Sequence, residues 1–200
     1  MSKPVKMTKA EKTKNLIIEK TAPIFNRKGY AGTSLNDITA ATGLTKGSIY
    51  GNFANKDEVA LAAFDFNLKS NLSKIEAEMN CQTTTKGKLL AYIDVYQGLI
   101  GSISNGGCPI LNTATDADDT HPALRKKALQ AVLSWKKNII NLVNEGISQN
   151  EIKEGSDPEQ IALTMIAMIE GGIMIARLTN KLSNWNSIMD SLKKYINTLS

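Results

Sequence analysis

The chain has 200 residues, of which 42% are hydrophobic, and its formal net charge is +5. This length and composition are enough to bury a sizeable core in one or two domains, and they exclude collagenous or low-complexity sequence. No uninterrupted apolar stretch of about 20 residues occurs, so we predict no membrane span and no secretory signal. The two cysteines and single histidine lack metal-ligand spacing, so we expect no metal and a cytoplasmic protein with reduced thiols.

The excess positive charge lies at the N-terminal end of the chain. Residues 1–60 contain ten basic and five acidic residues, whereas the other 140 residues contain 14 of each. A basic module joined to a neutral body predicts a polyanionic partner for that module.

The first predicted helix runs from about Lys9 to Lys28, after a polar and basic arm over residues 1–8. Thr8 and Glu11 have the spacing of a capping box, and Gly29 fits the helix end.

Two short helices joined by a tight turn are predicted within residues 32–59. Ser34 and Asn36 can each cap the first of them, and Gly43 can adopt the left-handed conformation that ends it. Thr45 can cap a second helix over residues 46–53. Apolar residues four apart would hold this second helix on the core and leave its small, polar and basic residues facing outward. Such a helix is of the kind that a DNA major groove admits.

At these residues the chain resembles the tetracycline-repressor (TetR) family of bacterial transcriptional regulators. The matching run is TSLNDITAATGLTKGSIYGNFANKDE, and the strong match covers roughly residues 12–62. Thr39 and Thr42 depart from the alanine that is more frequent in the family. The resemblance implies an all-α fold of about nine helices. Residues 1–55 would form a three-helix helix-turn-helix DNA-binding domain, and residues 56–200 a ligand-binding and dimerisation domain.

The resemblance also implies particular DNA contacts. Thr33 and Lys56 match phosphate contacts, although each is also an ordinary residue at the start of a helix. A lysine can reach guanine acceptors and an asparagine can pair with adenine, whereas Tyr50 is expected to bind phosphate through its hydroxyl. Gly47 would let the helix approach the DNA closely. The predicted DNA-binding residues are Thr33, Ser34, Thr45, Lys46, Gly47, Ser48, Tyr50, Asn52 and Lys56.

Six further helices are predicted in the C-terminal part, at residues 56–79, 87–102, from 109, 122–149, 158–180 and 185–199. We predict that the last two, about residues 157–199, form a four-helix bundle with the same pair from a second subunit, as the family resemblance also implies. Gly171 and Gly172 would let a partner helix approach closely. His121 is expected to cap a helix or lie at the surface, and Asp116, Asp118 and Asp119 lack the pattern of a calcium loop.

Cys108 is predicted to open the sixth helix. The run GCPILNTA resembles, more loosely, a subgroup of the same family in which a Gly-Cys pair begins this helix. A helix N-terminus lowers the pKa of a thiol, so Cys108 is a candidate sensor of oxidants or electrophiles. The alternative is a small buried residue.

No catalytic constellation and no nucleotide-binding loop occur in the sequence, so we predict neither an enzyme nor a cofactor. The leading interpretation is a homodimeric repressor that binds a palindromic operator and is released by a small apolar or aromatic ligand. Its predicted pocket residues are Tyr92, Tyr96, Cys108, Trp135, Met165 and Met168. One alternative is a repressor that senses redox change through Cys108. Another is a helical protein-interaction module that does not bind DNA.

Overall fold

The computed structural model describes residues 7–98 and 106–199, and within those ranges it contains nine helices and no β-strand. The all-α class predicted from the sequence is therefore confirmed. The N-terminal arm up to residue 6 and the predicted end of the fifth helix lie outside the described residues. The helices are α1 (Lys9–Lys28), α2 (Leu35–Thr42), α3 (Lys46–Tyr50), α4 (Lys56–Asn80), α5 (Thr85–Gly98), α6 (Pro109–Ala117), α7 (Pro122–Ser148), α8 (Pro158–Thr179) and α9 (Leu182–Asn197).

The starts and stops of the first helices follow the predicted capping residues. Thr8 begins α1 with a capping box in which its N–H donates to the Glu11 carboxylate at 2.7 Å. Ser34 forms the same arrangement with Asp37 at the start of α2. Gly43 ends α2 at a φ of 70°, in the left-handed region that glycine adopts without a steric penalty.

The third helix is shorter than predicted, because it ends at Tyr50 instead of Phe53. Two glycines, Gly47 and Gly51, lower the helix propensity of this stretch, and it closes in a turn. The N–H of Asn52 and that of Phe53 both donate to the Ile49 carbonyl at 3.0 Å, which keeps the Phe53 ring in the core.

The long helix α4 contributes to both parts of the chain. It packs against α1 and also against α5, α6 and α7. The Asn67 side chain donates to the Ala22 carbonyl of α1 at 2.9 Å. Because α4 packs against helices of both parts, its contacts do not mark where one domain ends. The predicted boundary between residues 55 and 56 therefore remains a prediction.

The last helix buries the innermost row of its apolar residues within its own chain. Trp185, Met189, Leu192 and Ile196 have no exposed surface, whereas the outward residues of α9 are mainly polar. A Cβ at Gly172 would lie 2.9 Å from the Trp185 ring, so this glycine admits α9 of the same chain and not a partner. Ile188, Tyr195 and Leu199 nevertheless keep part of their surface exposed, so the prediction that α9 contributes to a dimer stays a prediction.

The preceding helix, α8, has apolar residues on two faces. One face packs against α7 and α9. The other is an exposed row, which we call the α8 stripe: Leu163, Ala167, Gly171, Met174, Ile175 and Leu178. By length and composition α8 would pass for a membrane span, a test that the core helix of a soluble protein also passes.

Candidate nucleic-acid interface and effector pocket

The recognition surface is built on α3. Ile49 is 1% exposed and Phe53 is 3% exposed, so both anchor the helix in the core of the small domain. On the opposite face Lys46 and Gly47 are exposed, and Tyr50 retains 48% of its surface. The structure therefore presents a lysine, a glycine and a tyrosine side by side to solvent, as predicted.

The hydroxyl and amide groups of this region are largely engaged in holding the helices. The Thr45 hydroxyl accepts from the Ser48 N–H at 3.2 Å and so caps α3. The Asp37 carboxylate accepts hydrogen bonds from the Lys28 ammonium and from the Ser34 hydroxyl. The bond from Lys28, followed by that from Ser34, holds the pKa of Asp37 well below its usual value. Asn52 is half-buried and donates its amide to the Ser48 carbonyl at 2.8 Å, which takes up a donor that adenine recognition requires.

Two of the predicted phosphate contacts point inward. Thr33 has no exposed surface, and its hydroxyl donates to the Gly29 carbonyl at 2.7 Å. The ammonium of Lys56 donates to the carbonyls of Tyr30 and Thr33 at 2.9 and 3.0 Å and lies 4.0 Å from the Tyr30 ring centroid. In this conformation both side chains support the turn between α1 and α2 and do not face a phosphate.

Four residues form a polar contact between the small domain and the body, which we call the interdomain cluster: Tyr30, Asp57, Asp116 and His121. The Tyr30 hydroxyl donates to Asp57, and this bond, the largest cause, raises the pKa of Tyr30 to about 12. The Tyr30 N–H donates to Asp116 at 2.7 Å. His121 caps α7 by accepting from the Leu124 N–H, as predicted, and its other ring nitrogen lies 3.7 Å from Asp57.

A second set of contacts connects α1 to the start of α6. The Asn26 side chain donates to the Gly107 carbonyl at 3.1 Å, and the Asn112 amide donates to the Asn26 carbonyl at 2.9 Å. Arg177 of α8 donates to the Asn112 side chain at 3.0 Å. Neither asparagine was singled out in the sequence, because a contact between residues 86 positions apart leaves no local pattern.

An aromatic stack forms one wall of a cavity in the body. The Tyr96 and Trp135 rings are nearly parallel, with centroids 5.4 Å apart, and Tyr92 stacks on Tyr96 at 5.6 Å. Together with Cys108 these rings line a cavity of about 50 Å³, which adjoins a larger one of about 250 Å³ along α4. The structure thus brings together four of the six predicted pocket residues.

The two methionines predicted for the pocket do not line this cavity. Met165 has no exposed surface and belongs to the core, and Met168 is a partly buried residue packed against that core. Helical spacing placed both on an apolar helix but did not show which face of α8 each one occupies.

The structure favours a small buried residue at Cys108 over the candidate reactive thiol. Cys108 stands at the start of α6, as predicted, but is only 5% exposed. Burial, together with the negative charge of the nearby Glu170, raises the pKa of Cys108 well above its ordinary value. Burial therefore outweighs the helix dipole, and a thiol that remains protonated at neutral pH is a poor nucleophile.

Glu170 is a candidate that the sequence analysis missed. Both of its carboxylate oxygens are buried without a hydrogen-bond partner among the described residues, and burial raises its pKa to about 7. The sequence held a signal, because Glu170 is the one charged residue of α8 between Ile161 and Ala176. In residues 7–98 and 106–199 no group of three or more His, Cys, Asp or Glu side chains is placed to hold a metal ion.

Comparison with known proteins places the chain in a family. Residues 17–63 match the family described as "Bacterial regulatory proteins, tetR family", and residues 86–192 match "Tetracyclin repressor-like, C-terminal domain". These matches cover most of the chain, and it belongs to the TetR family of transcriptional regulators.

Solved structures and a curated relative agree. The chain is 47% identical to a TetR-family regulator from Cytophaga hutchinsonii, with 98% of each chain covered and a TM-score of 0.92. A TetR regulator from Chloroflexus aurantiacus is 36% identical, with a TM-score of 0.89 and coverage of 96% of this chain and 97% of that one. The transcriptional repressor DhaR from Mycobacterium sp. (strain GP1) is 24% identical over 79% of each chain. The protein is accordingly a DNA-binding transcriptional regulator with a helix-turn-helix, and not an enzyme.

Proposed function

We propose that the protein is a cytoplasmic, homodimeric repressor that binds a palindromic operator and releases it when a small apolar or aromatic molecule occupies the aromatic pocket. The observation that carries the proposal is α3, which presents Lys46, Gly47 and Tyr50 to solvent from a basic domain. An exposed helix of this composition can enter the major groove, where lysine reaches guanine acceptors.

The residues of the interface take different roles. Lys46 reads base edges, and Tyr50 donates its hydroxyl to a phosphate. Gly47 allows a close approach, since the nearest atom that a Cβ there would meet within its own chain is 4.0 Å away and internal packing gives no reason for a glycine. Thr33 and Lys56 act indirectly, through the turn that they hold between α1 and α2. Ser34, Thr45 and Ser48 lie at helix N-termini that suit phosphate.

We propose a dimer interface on α7 and α8, as an alternative to the predicted pairing of α8 and α9. The α8 stripe is apolar along its length, and Leu178 in it is 80% exposed. Leu129 and Leu133 of α7 are 56% and 51% exposed. The 2.7 Å ion pair between Lys136 and Glu159 sets the two helices side by side, so these leucines extend the apolar surface. A surface of this kind on a soluble protein is expected to be covered by a partner.

Ligand binding would reach the DNA-binding domain through α6. The first residues of α6, from Pro109 to Ile110, line the cavity beside the aromatic stack. The same helix carries Asn112 and Asp116, which hold the end of α1. A ligand that binds better to one position of α6 would shift the population of the two states and so change the placement of α3 on DNA.

The DNA half of the proposal is tested by selecting bound duplexes from a random pool at low salt. We expect the native protein to enrich a palindromic site, because two α3 helices related by a two-fold axis read two half-sites. Lys46→Ala and Tyr50→Ala should lose the enrichment. Lys194→Ala, which removes an exposed lysine of α9, is the matched control and should keep it. Equal enrichment by all four proteins, or by none, would contradict the proposal.

The interface is tested by light scattering after chromatography. Gly171→Glu places a charge in the middle of the α8 stripe at a site where a Cβ meets nothing in its own chain, so the fold should be kept. We expect it to convert a dimer to a monomer. Ser187→Glu, on the outward face of α9, should remain dimeric. The reverse result would return the interface to α8 and α9.

A further inference from the structure

The Glu170 carboxylate is buried with no cation beside it among the described residues; burial raises its pKa, and the Cys108 thiol is the neighbour that lowers it. Glu170 lies in the middle of an otherwise apolar helix, and both carboxylate oxygens lack a hydrogen-bond partner among the described residues. A buried carboxylate of this kind is unfavourable unless it is protonated or meets a donor. Among the described residues no hydrogen-bond donor reaches the two oxygens, so a molecule that binds from outside could supply one.

The surroundings of Glu170 come from three elements. Tyr92 and Tyr96 of α5 and Cys108 at the start of α6 are the titratable groups that feel its charge. All three also line the cavity, together with Trp135 of α7, and Glu170 adjoins these residues without itself lining the cavity. The indole N–H of Trp135 is itself buried without a partner in the described part of the chain. One side of the body thus combines stacked aromatic rings with a carboxylate and an indole N–H that have no hydrogen-bond partner among the described residues.

We propose that Glu170 recognises the cationic group of a planar aromatic effector whose ring lies against the stack of Tyr96 and Trp135. The inference rests on the proposed function, because it names the chemical class of ligand for that same pocket. An amidinium or protonated amine can donate hydrogen bonds to the two oxygens, and a carboxylate binds such a group most strongly when two parallel bonds form. The faces of the aromatic rings add attraction for a cation.

The raised pKa of Glu170 supports this assignment and gives it a pH dependence. The carboxyl group titrates at about 7, so it is largely protonated in mildly acidic solution and ionised in mildly alkaline solution. A cation needs the ionised form, so its affinity should rise as the pH is raised through 7. The tyrosines and the thiol that face Glu170 have raised pKa values and stay neutral over this range.

The test uses three molecules of nearly equal shape: benzamidine, which is a cation at neutral pH, benzamide, which is neutral, and benzoate, which is an anion. We expect calorimetry on the native protein at pH 8 to show benzamidine binding about ten- to a hundredfold more tightly than benzamide, the range of a charge-assisted bond. Benzoate should bind most weakly. The preference for benzamidine should shrink at pH 6.

Glu170→Gln keeps the shape of the side chain and removes the charge. It should bind benzamidine and benzamide about equally and lose the pH dependence, whereas Glu154→Gln, at an exposed acid, should behave like the native protein. Equal binding of the three molecules by the native protein, or an unchanged preference in Glu170→Gln, would overturn the proposal. Preferential binding of benzoate would overturn it too, and would assign Glu170 as a protonated donor.

These measurements need no DNA, so they fail independently of the proposed function. Operator binding by Glu170→Gln without ligand should match that of the native protein. If benzamidine binds through Glu170 but leaves the operator occupied, the cation site stands and the proposed release mechanism falls.

Discussion

The interdomain cluster and the surroundings of Glu170 are both polar groups inside a helical protein, yet they are satisfied very differently. In the interdomain cluster Asp57 accepts from the Tyr30 hydroxyl, and Asp116 accepts from the Tyr30 N–H. In the body Glu170 and the indole of Trp135 lack partners among the described residues. The first arrangement fixes the relative position of two structural parts. The second leaves hydrogen-bonding capacity unused beside a cavity.

The difference teaches how the two kinds of site respond to mutation. A carboxylate that accepts hydrogen bonds in the folded state stabilises it, and removing its donors leaves it uncompensated. A buried carboxylate without donors destabilises the folded state, and replacing it is neutral or stabilising. Mutations in the two clusters should therefore change stability in opposite directions.

The largest expected effect is the pH dependence of stability that Glu170 causes. Its pKa is about 7 in the folded chain, against an ordinary value of 4.5. Between these values the folded state binds more protons than the unfolded state, so stability falls as pH rises, by about 3 kcal/mol in all. Above pH 7 the loss is complete. Urea denaturation of the native protein and of Glu170→Gln, compared at each pH, should show the variant becoming relatively more stable from pH 5 to 7. A constant difference would contradict this.

The next effect tests how tightly the interdomain cluster is packed. Gly29 has a φ of 72°, and a Cβ there would lie 2.6 Å from the Asp116 carboxylate. Gly29→Ala should therefore destabilise the protein by about 2 kcal/mol through backbone strain and the displaced carboxylate. Gly155→Ala has a comparable positive φ but open space around it, and serves as the control for strain alone. Thermal unfolding should show a clearly larger loss for Gly29→Ala.

A smaller loss is expected for Tyr30→Phe, which removes the hydroxyl donor to Asp57. We expect a destabilisation of about 1 kcal/mol, because Asp57 is partly solvated and water can replace the donor. The variant should also need more ligand to release the operator, since the bond between Tyr30 and the start of α4 is lost. Tyr195→Phe on α9 controls for loss of a hydroxyl. Unchanged stability would remove Tyr30 from the cluster.

The smallest effect separates an internal role of Lys56 from a phosphate contact. Lys56→Met loses the bonds to the carbonyls of Tyr30 and Thr33 and should cost about 1 kcal/mol of stability. If Lys56 acts internally, operator affinity falls but its dependence on salt is unchanged. A salt slope smaller by about 1 would instead identify a direct phosphate contact. Lys46→Met, at the lysine that reads base edges, should instead lower affinity mainly for the preferred sequence.

Local patterns in the sequence predicted the elements well. Capping depends on a few neighbouring residues, so Thr8, Ser34 and Thr45 marked their helix starts correctly. The family run then supplied the helix-turn-helix and its exposed face. For α3 only the predicted end was wrong, because two glycines shorten the helix.

Side-chain direction and burial could not be predicted in the same way. Thr33 and Cys108 were assigned from their positions at helix starts, but the side chains of both are buried, which a position at a helix start does not reveal. The last two helices were predicted to pack against a second subunit. Helical periodicity shows that α9 has an apolar face, but it does not show whether the chain itself or a partner covers that face. Glu170 was visible as a lone acid in an apolar helix, and only its missing partners show that it matters.

The length of α4 has a further geometric consequence. A helix of 25 residues is about 37 Å long, so a small tilt of α4 at the cavity would cause a larger displacement at the turn between α3 and α4. A rotation of about 5° at the cavity end displaces the other end by about 3 Å. In a two-fold dimer the two displacements add to about 6 Å, against a spacing of about 34 Å between successive major grooves. In the proposed dimer, a small change in the shape of the pocket would therefore be enough to move both recognition helices out of register with the proposed operator.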